Sequence, residues 1–481
     1  MAIQVHDSLS KKLVPFHPRD EGRVTMYACG PTVYNFIHIG NARTLLWFDF
    51  IRRYLIYRGY DVTYVMNYTD VDDKIIERAK LEGIPPDGIT RKYTDAFEKD
   101  MEGLGVEAAD IVVRATDHIE DMVATIQDLI EKGSAYEADG NVWFAVDAFE
   151  GYGKLSGRTL DDMRAGERIE PHPGKRHPLD FALWKSAKEG EPSWPSPWGA
   201  GRPGWHIECS VMSTKYLDMG FDIHGGATDL IFPHHENEIA QAEAATGTEP
   251  FVRHWMHAGL VQMEAEKMSK SLGNFVLAKD ILANMPGEAV RYWALIGSYR
   301  SQVTFSDASL QDAGQSYDRW KTFKEATEHL LGDDMPTLDA IPRRPVSDDV
   351  DGPSVARFIA ALDDDFNSAE AFAALHDLVR EGNRQLSAGQ HGDETERKAL
   401  IGTAATFLEL THVLGFRFAS AAADSQLTAG LIDYLLELRD QARAEKAFDR
   451  ADAIRAKLHE LGVTIEDTPA GTRRRTVGAA H

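Results

Sequence analysis

Cysteine is scarce in this chain: Cys29 and Cys209 are the only two in 481 residues. Lying 180 positions apart, they allow one disulfide at most and exclude a scaffold stapled by several. No apolar run approaches the ~18 residues that suggest a membrane span. The opening residues, Met1-Ala-Ile-Gln-Val-His-Asp-Ser8, lack a basic region followed by an apolar stretch, which argues against a secretory leader. A reduced cytoplasm is therefore the expected compartment, with a metal-binding or catalytic role for the thiols. Basic charge is also short, with 52 Lys and Arg against 76 Asp and Glu, a net of −24. That excludes indiscriminate polyanion binding, which depends on neutralising phosphates. A local basic face can still meet an RNA. Candidates are Arg343 with Arg344, the helix bearing Arg439, Arg443 and Lys446, and Arg473-Arg-Arg475, although each reads first as solvated surface charge and only second as an RNA contact. Internal repeats and low-complexity tracts are missing as well.

What is present is a soluble globular composition, 43% hydrophobic and 27% charged, on a chain long enough for two to four domains. Val24–Cys29 reads as a strand. Leu45, Phe48, Ile51 and Leu55 then repeat at helical spacing, Gly59 closes the helix, and Asp61–Asn67 reads as the next strand. Strand–helix–strand order predicts a parallel α/β sheet with its site at the strand C-termini. A helix is expected over 117–132, a strand over 141–146, and an ordered Gly-, Pro- and Trp-rich loop over 186–204. Strand-like runs recur at Phe221–His224 and His257–Gln262, as if the α/β domain resumes after an insertion. Past about 305, helical patterns dominate, with helices expected over 354–385, 393–414, 427–446 and 447–461. A proline-bearing linker spans 333–353, and a short polar tail begins at Val463. The expected fold is a Rossmann-like parallel-sheet domain over 1–305 with an insertion at about 115–200, followed by all-α domains. These are a helical region and linker over 306–352, a helical bundle over 353–425 and a small C-terminal region over 426–481.

The chemistry-bearing residues are concentrated. Cys29 lies in Tyr27-Ala-Cys-Gly-Pro-Thr-Val-Tyr34, and Cys209 ends Gly204-Trp-His-Ile-Glu-Cys209. In Phe232-Pro-His-His-Glu-Asn-Glu238, a helix starting near Pro233 sets His234 and Glu238 four apart on one face, with His235 as an alternative ligand. Two thiols, imidazole and carboxylate are zinc's preferred donors. Yet a helix start with a satisfied surface histidine fits the same spacing, and spacing cannot bring the two cysteines together. His38-Ile-Gly-Asn41 places an imidazole and backbone N–H groups at a helix mouth where phosphates bind, though a capping histidine would look the same. Lys267-Met-Ser-Lys-Ser271 offers two ammonium groups able to neutralise a phosphate in flight; its bland alternative is a basic surface turn.

These segments, with Asn67-Tyr-Thr-Asp-Val-Asp-Asp-Lys74, the run from Trp194 to Cys209 and Phe221-Asp-Ile-His-Gly-Gly226, resemble the bacterial cysteinyl-tRNA synthetases over nearly the whole length. Lys267–Ser271 is similar to the signature loop of class I aminoacyl-tRNA synthetases. The resemblance implies that Cys29, Cys209, His234 and Glu238 hold one zinc ion, with His235 outside its ligands. It implies that Thr69, Trp205 and His224 line the amino-acid pocket. His38, Gly40, Asn41, Asp229 and Lys270 would contact ATP, which brings Mg2+, while His38, Lys267 and Lys270 would stabilise the transition state. Arg443, Phe448, Asp452 and Asp467 fall where the family reads anticodon bases, Phe448 by stacking.

The implied reaction forms cysteinyl-adenylate from L-cysteine and ATP, then passes the acyl group to the terminal adenosine of cysteine tRNA. Thiolate ligation would reject serine without an editing site. Three positions depart from the family pattern: Asn41 stands where histidine is frequent, Ala227 where glycine is, and the Gly471–Arg475 tail lacks a tryptophan. Two rivals share the resemblance, namely a ligase joining cysteine to an amino-sugar inositol in mycothiol synthesis and a non-catalytic tRNA-binding relative. The helical region past 305 speaks against the first, and His38, Lys267, Lys270 and the four metal donors speak against the second. Lacking an exposed apolar repeat, the chain is expected to be a monomer.

Overall fold

Val24, Met26, Tyr27 and Ala28 are all buried on one short strand, the continuous burial of a strand covered on both faces. The computed structural model describes residues 2–159, 174–263, 276–338, 342–345, 352–418, 422–445, 447–460, 465–468 and 471–474. It divides into two compact units, Met1–Arg417 and Phe418–His481.

The first unit opens with an antiparallel hairpin, β1 (Gln4–Asp7) and β2 (Lys12–Pro15). Then follow β3 (Arg23–Ala28), α1 (Ile39–Tyr57), β4 (Asp61–Tyr68), α2 (Asp73–Glu82), α3 (Pro86–Gly103), β5 (Ile111–Arg114) and α4 (Ile119–Glu131). An antiparallel sheet of β6 (Ala135–Ala138), β7 (Asn141–Phe144), β8 (Phe181–Ser186) and β9 (Gly201–Pro203) interrupts the α/β order. The chain resumes with α5 (Trp205–Leu217), β10 (Phe221–Ala227), α6 (Glu236–Thr246) and β11 (Val252–Ala258). Strands β3, β4, β5, β10 and β11 form one parallel sheet in the order β11-β10-β3-β4-β5. Its order reverses between β3 and β10, so the crevice at the C-terminal ends of these two neighbours is the natural ligand site. Phe48 of α1 packs against this point: a Cβ at Gly225 would stand 2.2 Å from its ring.

A small parallel pair, β12 (Val261–Met263) and β13 (Val303–Phe305), accompanies α7 (Ala278–Leu282) and α8 (Gly287–Leu295). The helical part comprises α9 (Asp307–Leu331), α10 (Pro353–Leu362), α11 (Ser368–Gln390) and α12 (Glu394–Val413). Trp320, Phe372, Phe407 and Phe416 pack ring against ring there, together with Tyr292 of α8. The second unit holds α13 (Ala422–Ala444), α14 (Phe448–Glu460) and an antiparallel hairpin, β14 (Ile465–Thr468) and β15 (Gly471–Arg474), around Ile432, Leu436 and Leu458.

Three expectations are corrected. The run 257–262 is not one strand: β11 ends at Ala258, and Gly259, whose N–H bonds Tyr299, lies so near the Ser301 backbone that a Cβ would stand 2.4 Å away. The helix expected over 354–385 breaks at 363–367, because Asp363 and Asp365 are tied elsewhere. Tyr54 Oη donates to Asp363 at 2.6 Å, Gln4 N to the Asp363 carbonyl at 2.7 Å, and His6 N to Asp365 at 2.8 Å. Asn367 then caps the next helix. Finally, the region beyond 426 is not wholly helical, since it ends in the β14–β15 hairpin.

Candidate functional site

Cys29 directly follows β3, and its N–H bonds the Gly225 carbonyl of β10 at 3.2 Å. The switch point therefore delivers this thiol to the sheet's C-terminal end. Cys209 arrives from the second turn of α5, and its sulfur lies 3.7 Å from that of Cys29. His234 enters from the turn preceding α6, and Glu238 from the first turn of that helix. Cys29 Sγ is 3.5 Å from His234 Nε2 and 3.7 Å from Glu238 Oε1, and the last two are 2.9 Å apart. Around an ion with bonds of about 2.0–2.3 Å, tetrahedral edges come to about 3.8 Å for S–S, 3.6 Å for S–N and 3.3 Å for N–O. The sulfur edges match within a few tenths of an ångström. Glu238 Oε2, fully buried, makes no hydrogen bond among the described residues, and the nearest ring nitrogen, His224 Nε2, stands 3.4 Å away. These four side chains could hold a metal ion.

A second set shares two of them: Cys29, Glu238, His224 and His235 also converge. His224 Nε2 and His235 Nε2 stand 3.5 and 3.4 Å from Cys29 Sγ. The alternative that the sequence left open at His235 is thus geometrically real. Outer partners orient both rings. His234 Nδ1 meets His206 Nδ1 at 2.9 Å, so ligation through Nε2 requires His234 to donate its Nδ1 proton to His206. His235 Nδ1 meets His257 Nε2 at 2.8 Å, and His257 Nδ1 meets Ser8 Oγ at 2.8 Å.

Burial disfavours the charged form of several groups in and around this cluster. It pushes the Glu238 carboxyl and the Cys29 thiol up, and His206, His224 and His235 well below the usual imidazole value. His257 falls to about 3 for the same reason. Only Cys209 moves toward its anion, to about 7, chiefly through the hydrogen bond from Cys29. A cation would reverse this balance, because ligand thiols and carboxylates bind it deprotonated.

Cys29 is the half-buried member of the cluster and opens onto a cavity of about 220 Å³. Tyr34, His38, Asn41, Trp205, Ala227 and Asp229 line it with the Gly30–Thr32 turn. Trp205 begins α5 and stacks on His234 with ring centroids 4.3 Å apart. His38 caps α1: its Nδ1 accepts from Gly40 N at 3.1 Å and Asn41 N at 3.2 Å, and Asn41 Oδ1 accepts from His38 N at 3.3 Å. Two backbone donors expected to face a phosphate are therefore engaged by the imidazole itself. With Nδ1 accepting, the neutral ring carries its proton on Nε2, and burial favours the neutral form. Asn41, one of the three departures from the family pattern, completes a capping box.

Thr69 follows β4 and is buried; its hydroxyl donates to Glu208 Oε2 at 2.9 Å. His224 lies on β10 within the cluster. Lys267 and Lys270 lie outside the described residues. In the second unit, Arg443 is on α13, exposed Phe448 and Asp452 are on α14, and Asp467 is on β14. The sequence reading missed His206, Glu208, His257 and Asn67 as individual roles. The first two were visible as polar neighbours of Trp205 and Cys209. A lone strand histidine such as His257 gives no signal.

Residues 15–315 match the family described as tRNA synthetases class I (C) catalytic domain, 357–419 the DALR domain, and 426–475 the cysteinyl-tRNA ligase anticodon binding domain. The cysteine–tRNA ligase of Pelotomaculum thermopropionicum is 49% identical over 99% of this chain and 100% of its own length. That of Heliobacterium modesticaldum is 48% identical over 98% and 99%. Among solved structures, Mycobacterium tuberculosis methionyl-tRNA synthetase with methionyl-adenylate is similar in fold. Its TM-score is 0.58 at 16% identity, over 82% of this chain and 89% of that one. A ternary complex of Agrobacterium radiobacter K84 agnB2 LeuRS with tRNA and LeuAMS also reaches a TM-score of 0.58, at 12% identity over 84% and 85%. Parallel sheet, switch-point site and full-length identity agree: the chain belongs to the cysteine–tRNA ligase family of class I aminoacyl-tRNA synthetases.

Proposed function

We propose that the protein joins L-cysteine to cysteine tRNA in two steps. The amino-acid carboxylate attacks the α-phosphate of ATP, giving cysteinyl-adenylate and pyrophosphate. The acyl group then moves to a hydroxyl of the tRNA's terminal adenosine. The observation that carries this reading is a cluster of two thiols, imidazole and carboxylate that opens through Cys29 onto a cavity edged by His38 and Asp229. Zinc suits the Cys29–Cys209–His234–Glu238 donor set and would favour a substrate thiolate over a serine hydroxyl.

The remaining work falls to the chain's own groups. His38, held through Nδ1, keeps an Nε2–H for a phosphate oxygen. Asp229 supplies a carboxylate acceptor for ribose hydroxyls at the cavity edge. Trp205 and the Gly30–Thr32 segment wall the cavity in which the carboxylate would react. Lys267 and Lys270, assigned by resemblance, neutralise the charge that builds on the phosphate, with Mg2+ accompanying ATP. Arg443, Phe448, Asp452 and Asp467 form the anticodon contacts, and the match of 426–475 to an anticodon-binding domain supports them. That match also weighs against an amino-sugar acceptor, which leaves such a region without a task.

The test is charging of cysteine tRNA with labelled cysteine, run beside pyrophosphate exchange and with serine as control. Charging with cysteine alone is expected. Cysteine-dependent exchange without charging would move the acceptor to a small amine and overturn the tRNA step.

A further inference from the structure

The only two cysteines of the chain face each other: Cys29 Sγ and Cys209 Sγ lie 3.7 Å apart, and both are free thiols. Their surroundings differ. Cys209 is buried within α5 and belongs to the main hydrophobic core. Cys29 is half-buried, follows β3 rather than lying within it, and lines the cavity of about 220 Å³. A small solute that enters the cavity therefore meets one sulfur and has the second close behind it. No third cysteine exists to compete, so oxidation of this pair has a single disulfide product within the chain.

An accessible sulfur poised beside a resolving one is the arrangement of a redox-sensing pair. We infer that Cys29 and Cys209 form a reversible disulfide that switches the enzyme off in the presence of a peroxide. In the first step the Cys29 thiolate attacks one peroxide oxygen. An S–O bond forms, the O–O bond breaks and hydroxide departs, leaving a sulfenic acid. In the second, the Cys209 thiolate attacks Cys29 Sγ: the S–S bond forms, the S–O bond breaks and a second hydroxide departs. Two protons from solvent turn both hydroxides into water, and the peroxide has taken two electrons from the pair. Closing from 3.7 Å to the ~2.05 Å of an S–S bond falls to Cys29, the less buried of the two. Thiolates, not disulfide sulfurs, ligate the metal, so the donor set falls from four to His234 and Glu238 alone, and zinc leaves. The inference rests on the proposed zinc at this cluster and is independent of the acyl acceptor. Two molecules of a small thiol, cysteine itself included, reverse the switch by exchange and leave as their own disulfide. Activation of cysteine is thereby tied to conditions that keep cysteine reduced.

The test uses full-length, zinc-loaded enzyme, hydrogen peroxide as the probe and dithiothreitol as the reductant. Free thiols are followed with a thiol-reactive dye, and zinc release with a chromogenic chelator. The peptide linking Cys29 to Cys209 is followed by mass spectrometry after digestion. Loss of both thiols and of the bound zinc is expected in step with the appearance of that peptide and with the loss of pyrophosphate exchange. Dithiothreitol with added zinc should return thiols, zinc and exchange together. Cys209→Ala removes the resolving sulfur, so it should give no linked peptide and carry Cys29 on to sulfinic or sulfonic acid, which dithiothreitol does not reduce. The wild-type readouts decide the matter even where that variant does not fold. Wild-type Cys29 passing directly to those acids, thiols pairing only between chains, or zinc retained while the linked peptide forms overturns the inference. So does exchange activity that falls while both thiols persist. Enzyme that forms the linked peptide but binds no zinc when reduced would reject the zinc reading itself, an outcome distinct from these.

Discussion

His234 Nε2 and Glu238 Oε1 stand 2.9 Å apart, one helical turn from each other, in a pocket where both side chains are almost wholly shielded from water. An imidazole whose outer nitrogen is held by His206 and a carboxylate with one oxygen lacking a hydrogen bond among the described residues make a poor resting pair. Both are satisfied once a cation shares them with the two sulfurs.

Cys209→Ser tests that argument. The sulfur is buried and 3.7 Å from Cys29, so a hydroxyl there donates weakly to any metal. Even outer-shell changes cost about 10- to 100-fold in affinity, and loss of a ligand should exceed that, leaving the purified variant depleted of zinc. Cysteine-over-serine preference in pyrophosphate exchange should collapse with it. Full zinc content by elemental analysis, with unchanged preference, would contradict the assignment of Cys209 as a ligand.

The observed helix cap of His38 and its proposed role toward ATP can be separated by one substitution. Its Nδ1 caps α1, and its Nε2–H is left for the cavity. Asparagine is itself a strong N-cap, whereas alanine is not. His38→Asn should therefore melt near wild type, while His38→Ala loses about 1 kcal/mol. Both should lose about 100-fold or more in adenylate formation, the cost of removing one transition-state donor. Asparagine restoring the exchange rate along with stability would reduce His38 to a helix cap.

The pairing of His234 with Glu238 is readable from a spacing of four, and the parallel sheet from strand–helix–strand order, because both are local patterns. The meeting of Cys29 with Cys209 is not, since it is made by α5 packing against β3, two elements that bring together residues 180 positions apart. His206 was hidden for a related reason: its neighbour Trp205 carries the obvious signal, and only the rotation of α5 brings Nδ1 onto His234. The break at 363–367 was invisible because helical periodicity continues through it. Partners from distant segments, Gln4, His6 and Tyr54, claim its aspartates instead.

His257 gives the acid limb of stability a specific source. Buried and held near a pKa of about 3, it stays neutral in the fold, whereas the unfolded chain's imidazole binds a proton below about 6.5. The unfolded state then holds more protons, so this contribution is present above pH 6.5 and is lost as pH falls toward 3. His257→Asn removes the titration. Between pH 6.5 and 5 the wild-type protein, prepared without metal, should lose about 1.6 kcal/mol more than the variant, by chemical denaturation at each pH. Parallel curves would mean that His257 is charged in the fold.

Phe448 presents 59% of its surface to solvent at the start of α14, a large ring that the core of its own unit does not use. An exposed aromatic in an anticodon-binding region suits stacking on an unpaired base, which contributes about 1–3 kcal/mol. Phe448→Ala should raise KM for tRNA in charging roughly 5- to 150-fold, by the same energies. Pyrophosphate exchange without tRNA should not change, because activation involves the cavity near Cys29 and His38. Stability should move by no more than about 0.5 kcal/mol, as for other exposed positions. Phe448→Trp, which keeps a stacking face, should recover most of the loss. An alanine variant with wild-type KM for tRNA would remove Phe448 from the anticodon contacts and leave its exposure to another partner.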